Sequence, residues 1–235
     1  MGPAVSGSLA DAIRRLEEHT EAARHPSGQG AAGFARFAER HDLPGWEGWF
    51  SPYDDETYEA VLSQIRPNDV VFDIGAGDLR LALRMAGRAR KVVAVEVNPL
   101  LVAQALEIIG LDLPRNLHVV CANAFDLRFP SDVTVAVLLM RHCRHFRHFL
   151  DRLEAAGCQQ LLTSARWRTG VESIDLTAPG LPFEDVHEGW YACRCGATGY
   201  VGTGERPDAA PVEVMACPAC WAPESDHTRH PEEKE

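Results

Sequence analysis

The stretch Val70-Val71-Phe72-Asp73-Ile74-Gly75-Ala76-Gly77-Asp78-Leu79-Arg80 decides how this 235-residue chain folds. It opens as a short apolar run rich in β-branched and aromatic residues, passes through two glycines, and enters the helical sequence LRLALRMAG. A continuous apolar strand that runs through small residues into a helix is the junction of a parallel α/β unit, buried on both faces. Gly75 and Gly77 carry no Cβ, so backbone there can approach a ligand beyond the carboxyl end of the strand.

The same alternation continues outward. KVVAVEV is a second strand, and Pro99 starts a helix, PLLVAQALEII, that Gly110 ends. LHVVCAN and VTVAVLLM are a third and a fourth strand, HFRHFLDRLEAAG a helix and QQLLTSA a fifth strand. The pattern predicts an α/β fold, a doubly wound and mostly parallel sheet, over residues 46–170. Upstream lies a helical leader, residues 1–45. Leu9, Ile13, Leu16 and Ala23 give it one amphipathic helix over 8–24, and a second short helix is expected around Gly33–Arg40. After the turn-rich WEGWFSP, Asp54 and Asp55 can cap a helix running to about Ile65. Past Arg168 the alternation stops. TAPGLPFEDVHEG reads as loop, WYACRCGATGYVGTG as strand–turn–strand and VEVMACPACW as a strand with a turn, giving a small β subdomain over 171–225 and a charged tail over 226–235.

Hydrophobic residues at 46% and charged residues at 24% belong to a globular domain. With 23 basic and 34 acidic side chains the net charge is −11, which argues against a protein whose whole surface coats nucleic acid or an acidic membrane. No apolar run approaches the ~18–20 residues that span a bilayer. The N-terminal residues lack the basic start and apolar stretch of a secretory signal. A soluble, cytoplasmic protein is expected.

Glu96 ends the second strand, 23 residues after Asp73. A carboxylate there can accept both hydroxyls of a ribose; the plainer reading is a tight strand–helix turn with Glu96 solvated. Strand, glycine loop, helix, second strand and terminal carboxylate in that order favour a ligand site. A dinucleotide fingerprint needs a third glycine where Arg80 stands, and no Gly-Lys-Ser/Thr follows for a P-loop. The stretch resembles motif I of class I S-adenosylmethionine-dependent methyltransferases, with Leu79 in place of the last glycine. The resemblance implies that Asp73, Gly75 and Gly77 line the methionine end of S-adenosylmethionine and that Glu96 binds its ribose. It also places Asn123 and Ala124 against the adenine, although Asn123 can equally make only a turn. The order of segments from PYDDET to SDVTVAVLL is further similar to seven-strand protein-lysine methyltransferases. There Tyr53, Glu56 and Thr57 match a segment closing over the methionine moiety.

This resemblance makes a protein lysine the first acceptor to consider, with RNA or a small molecule as alternatives. A non-catalytic cofactor-binding protein is a further reading. The Asn/Asp-Pro-Pro-Tyr/Phe stretch with which DNA-base methylating enzymes hold an exocyclic amine is replaced by Leu138-Leu139-Met140-Arg141-His142-Cys143. His142, just past the fourth strand, is a candidate general base. The basic run RHCRHFRHFLDR has two other readings: contacts to an acidic or phosphate-bearing substrate, or a solvated helix face with Phe146, Phe149 and Leu153 in the core.

Of seven cysteines, Cys193, Cys195, Cys217 and Cys220 fall within 28 residues as two short pairs. Two turns closing on each other deliver four thiolates to a tetrahedral Zn²⁺, and His187 is close enough in sequence to replace one ligand. Unbound thiols and a redox pair are the other possibilities. A closed four-thiolate site supports folding rather than catalysis. The ribbon is expected to replace or extend the final β-hairpin of the methyltransferase sheet. The remaining Cys121, Cys143 and Cys158 are assigned to core packing.

Overall fold

The structure is a computed structural model and describes residues 6–23, 52–140, 143–166, 170–203 and 209–221. The expected short helix at 33–40 and the WEGWF stretch lie outside these residues, as does the charged tail.

Five helices and nine strands are described: α1 (Ser6–Ala23), α2 (Asp55–Leu62), β1 (Val70–Ile74), α3 (Arg80–Ala86), β2 (Lys91–Glu96), α4 (Pro99–Ile109), β3 (Leu117–Cys121), β4 (Val135–Leu138), α5 (Phe146–Ala155), β5 (Gln160–Thr163), β6 (Glu172–Asp175), β7 (Gly189–Cys193), β8 (Thr198–Val201) and β9 (Val212–Val214). The large sheet has the order β3-β2-β1-β4-β5-β6. Strands β1 to β5 pair in parallel, and β6 runs antiparallel on the β5 edge.

The apolar runs form strands because each central strand loses both faces to helices. Val71, Val92, Ala94, Val137 and Leu162 point into a cluster built with α1 to α4. Phe72, Ile74, Val93, Ala136 and Leu161 point the other way, against Phe146, Phe149, Leu150 and Leu153 of α5. At roughly 1.5–3 kcal/mol per fully buried large apolar side chain, this two-sided core outweighs any local preference. Capping is local and legible. Asp54 accepts the Thr57 N–H at 2.7 Å to start α2, and Asn98 accepts the Leu100 and Leu101 N–H groups ahead of Pro99 to start α4. On α1, Ala12 and Leu16 are buried in the core, and Arg15 bonds the carbonyls of Ile108 and Ile109 at the carboxyl end of α4.

The sheet reverses direction at the β1/β4 boundary, with β2 and β3 on one side of β1 and β4 to β6 on the other. In open α/β sheets that switch point, at the carboxyl ends of the strands, is where ligands sit.

The C-terminal strands form a separate sheet of order β8-β7-β9 and do not extend the large one. The edge of the large sheet is instead taken by β6, in a segment where no regular element is expected from sequence. The ribbon docks through arginine. The Arg166 side chain, with no exposed surface, lies just past β5 and bonds Glu172 of β6, the Cys193 carbonyl of β7 and Glu213 of β9. Arg194 pairs with Glu154 of α5 and donates to the Ala178 carbonyl. A Cβ on Gly196 would stand 3.3 Å from Phe146 Cβ, so the first cysteine turn sits on the start of α5.

Candidate functional site: a glycine loop under two buried carboxylates

Beyond β1 the backbone turns through three left-handed residues at alternate positions: Gly75 (φ +79°), Gly77 (φ +58°) and Leu79 (φ +66°). The N–H groups of Gly75 and Ala76 both donate to the Val95 carbonyl at 2.9 Å, tying the loop to the end of β2. Left-handed backbone costs an L-residue roughly 1–2 kcal/mol. Leu79 is the only described non-glycine residue that adopts it, and its side chain is fully buried among α2, α3 and the sheet. Burial offsets the strain, so the loop keeps the path that the missing motif glycine implies. Arg80, where a dinucleotide fingerprint has its third glycine, turns back instead and clasps Asp78 through Nε and Nη2 at 2.7–3.1 Å.

Glu96 is buried rather than solvated. Its Oε2 accepts the Gly77 N–H and its Oε1 the Asn98 N–H, each at 2.8 Å, so one carboxylate fixes both the glycine loop and the turn into α4. Burial pushes Glu96 above the usual carboxylate range, against these backbone donors. Asp73, at 3% exposure, has an Oδ2 without a hydrogen-bond partner among the described residues. Burial, and then the charge of Glu96, raises it to about 7. An orphaned buried carboxylate is costly and marks a place where a ligand supplies the missing partner.

The donor set selects the ligand chemistry. Phosphates would face two buried carboxylates, and the nearby Arg80 is already committed to Asp78. A ligand carrying cationic groups and a diol suits the same atoms. S-adenosylmethionine has a sulfonium and an ammonium beside a ribose, and the residues present fit it.

The other expected contacts come from the neighbouring strand ends. Tyr53 donates its hydroxyl to the Leu139 carbonyl at 2.8 Å and lies 3.1 Å from Ser164 Oγ, bridging the ends of β4 and β5. Thr57 is buried and Glu56 exposed, both in the first turn of α2. Asn123 makes the turn: its Oδ1 accepts the Phe125 N–H at 3.0 Å, with buried Ala124 between them. Cys121, expected in the core, is exposed at the end of β3, across from Glu96, because β3 is the edge strand of the sheet. Cys158 is buried in the core and Cys143 is partly so. Of the basic run, Phe146, Phe149 and Leu153 are buried while Arg144, His145, Arg147 and His148 are exposed. His142 lies outside the described residues.

Two contributors are not evident from sequence. Met140 covers the loop, its Sδ 3.2 Å from where a Gly75 Cβ would be, and Ser164 meets Tyr53. No motif signals either; only the strand-end position of LLM after β4 hints at Met140.

The second centre is complete. The Sγ atoms of Cys193, Cys195, Cys217 and Cys220 lie within 4.8 Å of one another, with 3.6 Å between Cys193 and Cys220 and 3.8 Å between Cys195 and Cys217. Zn–S bonds of about 2.3 Å in a tetrahedron put sulfurs about 3.8 Å apart. Burial pushes the Cys193 and Cys217 thiols up, which a cation binding thiolates would reverse. His187 is exposed, and the metal-ligating group found among the described residues consists of the four cysteines alone.

The sheet order with its antiparallel edge, the loop and the carboxylate after β2 define a class I, Rossmann-like methyltransferase fold. Residues 55–165 match the profile of the ribosomal RNA adenine dimethylase family. A probable ribosomal RNA small subunit methyltransferase A of Methanosarcina acetivorans is 37% identical over 71 residues, 30% of this chain and 26% of the relative. A dimethyladenosine transferase of Kluyveromyces lactis is 33% identical over 69 residues, 29% of this chain and 22% of the relative. The matched region thus spans about a quarter of these relatives' length. Among solved structures, a dimethyladenosine transferase from Plasmodium falciparum aligns over 47% of this chain and 41% of that one, at 16% identity and a TM-score of 0.42.

Proposed function

We propose that this protein is an S-adenosylmethionine-dependent methyltransferase whose acceptor is RNA. The observation that carries the cofactor assignment is the buried pair of carboxylates at the glycine loop, one orphaned and one holding the Gly77 N–H. Asp73, Gly75 and Gly77 would hold the methionine end, with Tyr53, Glu56 and Thr57 closing over it. Glu96 would hold the ribose, and Asn123 and Ala124 the adenine. The cofactor, when bound, supplies a methyl group on a sulfonium, so transfer needs alignment and desolvation more than a nucleophilic residue. Met140 and Tyr53 border the space between the glycine loop and the ends of β4 and β5, where an acceptor must arrive. His142 is retained as the candidate base by its position after β4.

RNA is preferred to a protein lysine because the matched family and the named relatives are ribosomal RNA methyltransferases. An adenine amine is not favoured as the acceptor atom. The end of β4 reads Leu138-Leu139-Met140 and lacks the Asn/Asp-Pro-Pro-Tyr/Phe stretch that holds an exocyclic amine.

We also infer that the four cysteines hold one zinc ion. Four thiolates leave no open position, so the ion's role is to fix the ribbon on α5 and β5. Among the described residues no helix is long and apolar enough to cross a membrane. The test of the main proposal is binding of S-adenosylhomocysteine by calorimetry followed by methyl transfer to RNA. Failure to bind the cofactor product would overturn it.

A further inference from the structure

Next to the adenine end of the proposed cofactor site lies an exposed stack of rings that neither centre uses. Phe125 is 37% exposed. Its ring lies on His148 at 4.5 Å and 21°, with His145 edge-on at 4.7 Å and Phe149 behind at 5.0 Å. The ring is held in place from behind. Arg152 donates to the Ala124 and Phe125 carbonyls at 2.9 Å while its guanidinium rests 4.2 Å from the Phe129 ring centre. A single exposed apolar side chain means little, but a clamped stack of planar groups is a prepared surface.

Two exposed arginines lie beside it, one on α5 and one just before it. Arg144 is exposed and has no ion-pair partner among the described residues; Arg147 pairs with Asp151 one turn on. This end of α5 carries the first cysteine turn on Phe146. Cys220 Sγ lies 3.6 Å from Cys193 Sγ in the cluster this turn helps to build, and next to Cys220 in the chain stands Trp221 at 72% exposure. The rings of Phe125 and His148, the two arginines and Trp221 thus all belong to α5, the residues flanking it and the cysteine cluster seated on its start.

We propose that this surface is the docking track for a single-stranded segment of the RNA substrate. One unpaired base stacks on the outer face of His148, which Phe125 backs, Arg144 and Arg147 meet the adjoining phosphates, and Trp221 stacks a second base. Stacking on aromatic side chains flanked by cations is how proteins grip single strands, since every base has a π-face. The charge balance agrees. The net charge of −11 opposes RNA binding by the chain as a whole, so attraction has to come from local cations such as these. The inference rests on the RNA reading above.

The test uses the full, metal-loaded chain with S-adenosylhomocysteine present and a labelled, unstructured 12-nucleotide RNA, followed by fluorescence anisotropy at several salt concentrations. His148→Ala and Trp221→Ala are each expected to weaken binding at least about fivefold, the loss of one stacked base. Arg144→Ala is expected to reduce the salt slope by about 0.7, one phosphate contact on a single strand. Unchanged cofactor affinity and metal content in the three variants show that their folds are kept. If wild type binds the RNA and all three variants bind equally well, the track is overturned while the RNA reading stands. If wild type binds no RNA yet methylates protein, both fall. Tighter binding of a duplex than of the single strand also overturns the track.

Discussion

Asp73→Asn should make the ligand-free protein more stable at alkaline pH, although it removes a motif residue. Asp73 rises from an ordinary carboxylate value of 3.8 to about 7 because it is buried and faces Glu96. The folded state therefore keeps a proton that the unfolded chain has lost, and stability falls as pH rises from about 4 to about 7. About three pK units at 1.36 kcal/mol each give a cost on the order of 4 kcal/mol, fully present above pH 7. Asparagine is neutral throughout and carries no such cost. Urea unfolding of wild type and variant at pH 5 and pH 8 measures it, and comparing the two proteins cancels the other titrating groups. Wild type should lose about 3 kcal/mol relative to Asp73→Asn between those values. The same carboxylate should help a cationic ligand only when ionised. Cofactor binding to wild type should then release protons near pH 7, an effect absent from the variant and readable by calorimetry in two buffers. Parallel wild-type and variant stability from pH 5 to pH 8 would refute the assignment of an orphaned, proton-holding Asp73.

Glu96→Gln should weaken S-adenosylhomocysteine binding about tenfold or more, since hydrogen bonds to a charged group contribute about 1.5–3 kcal/mol; unchanged affinity in calorimetry removes Glu96 from the ribose. Leu79→Gly, which restores the motif, should still destabilise the fold by about 1–3 kcal/mol in denaturant titration. Relief of left-handed strain is smaller than the loss of a fully buried leucine, and a more stable variant would contradict that balance. Arg166→Met should cost about 3–5 kcal/mol, because Glu172 and Glu213 lose the buried cation they share. Protease accessibility of the ribbon checks the direction, and an equally protected ribbon would count against Arg166 as its anchor.

The large sheet is legible in the sequence because strands buried on both faces read as continuous apolar runs, and VVFDI and KVVAVE leave little choice. Strand β6 is not. Glu-Ser-Ile-Asp is an edge strand with one buried residue, Ile174, and its pairing comes from β5 rather than from its own composition. The candidate site is legible as far as a motif carries it. Asp73, Gly75, Gly77 and Glu96 converge as the spacing implies, while Leu79 hides a glycine-like backbone behind a residue that normally forbids it. Asn123 closes a turn with its side-chain oxygen, the other role that its residue type allows after a strand. The cysteine pairs announce a four-thiol cluster, but nothing local announces that Arg166 bolts it to the strand ends, through contacts 27 and 47 residues away. Long-range polar contacts leave no periodicity to read.

The most direct measurement is a transfer assay with methyl-labelled S-adenosylmethionine on a cell extract, separated afterwards into RNA, protein and small-molecule fractions. The account predicts label in RNA, lost in Glu96→Gln. Label confined to protein or small molecules, or no transfer by a chain that binds the cofactor, would contradict it.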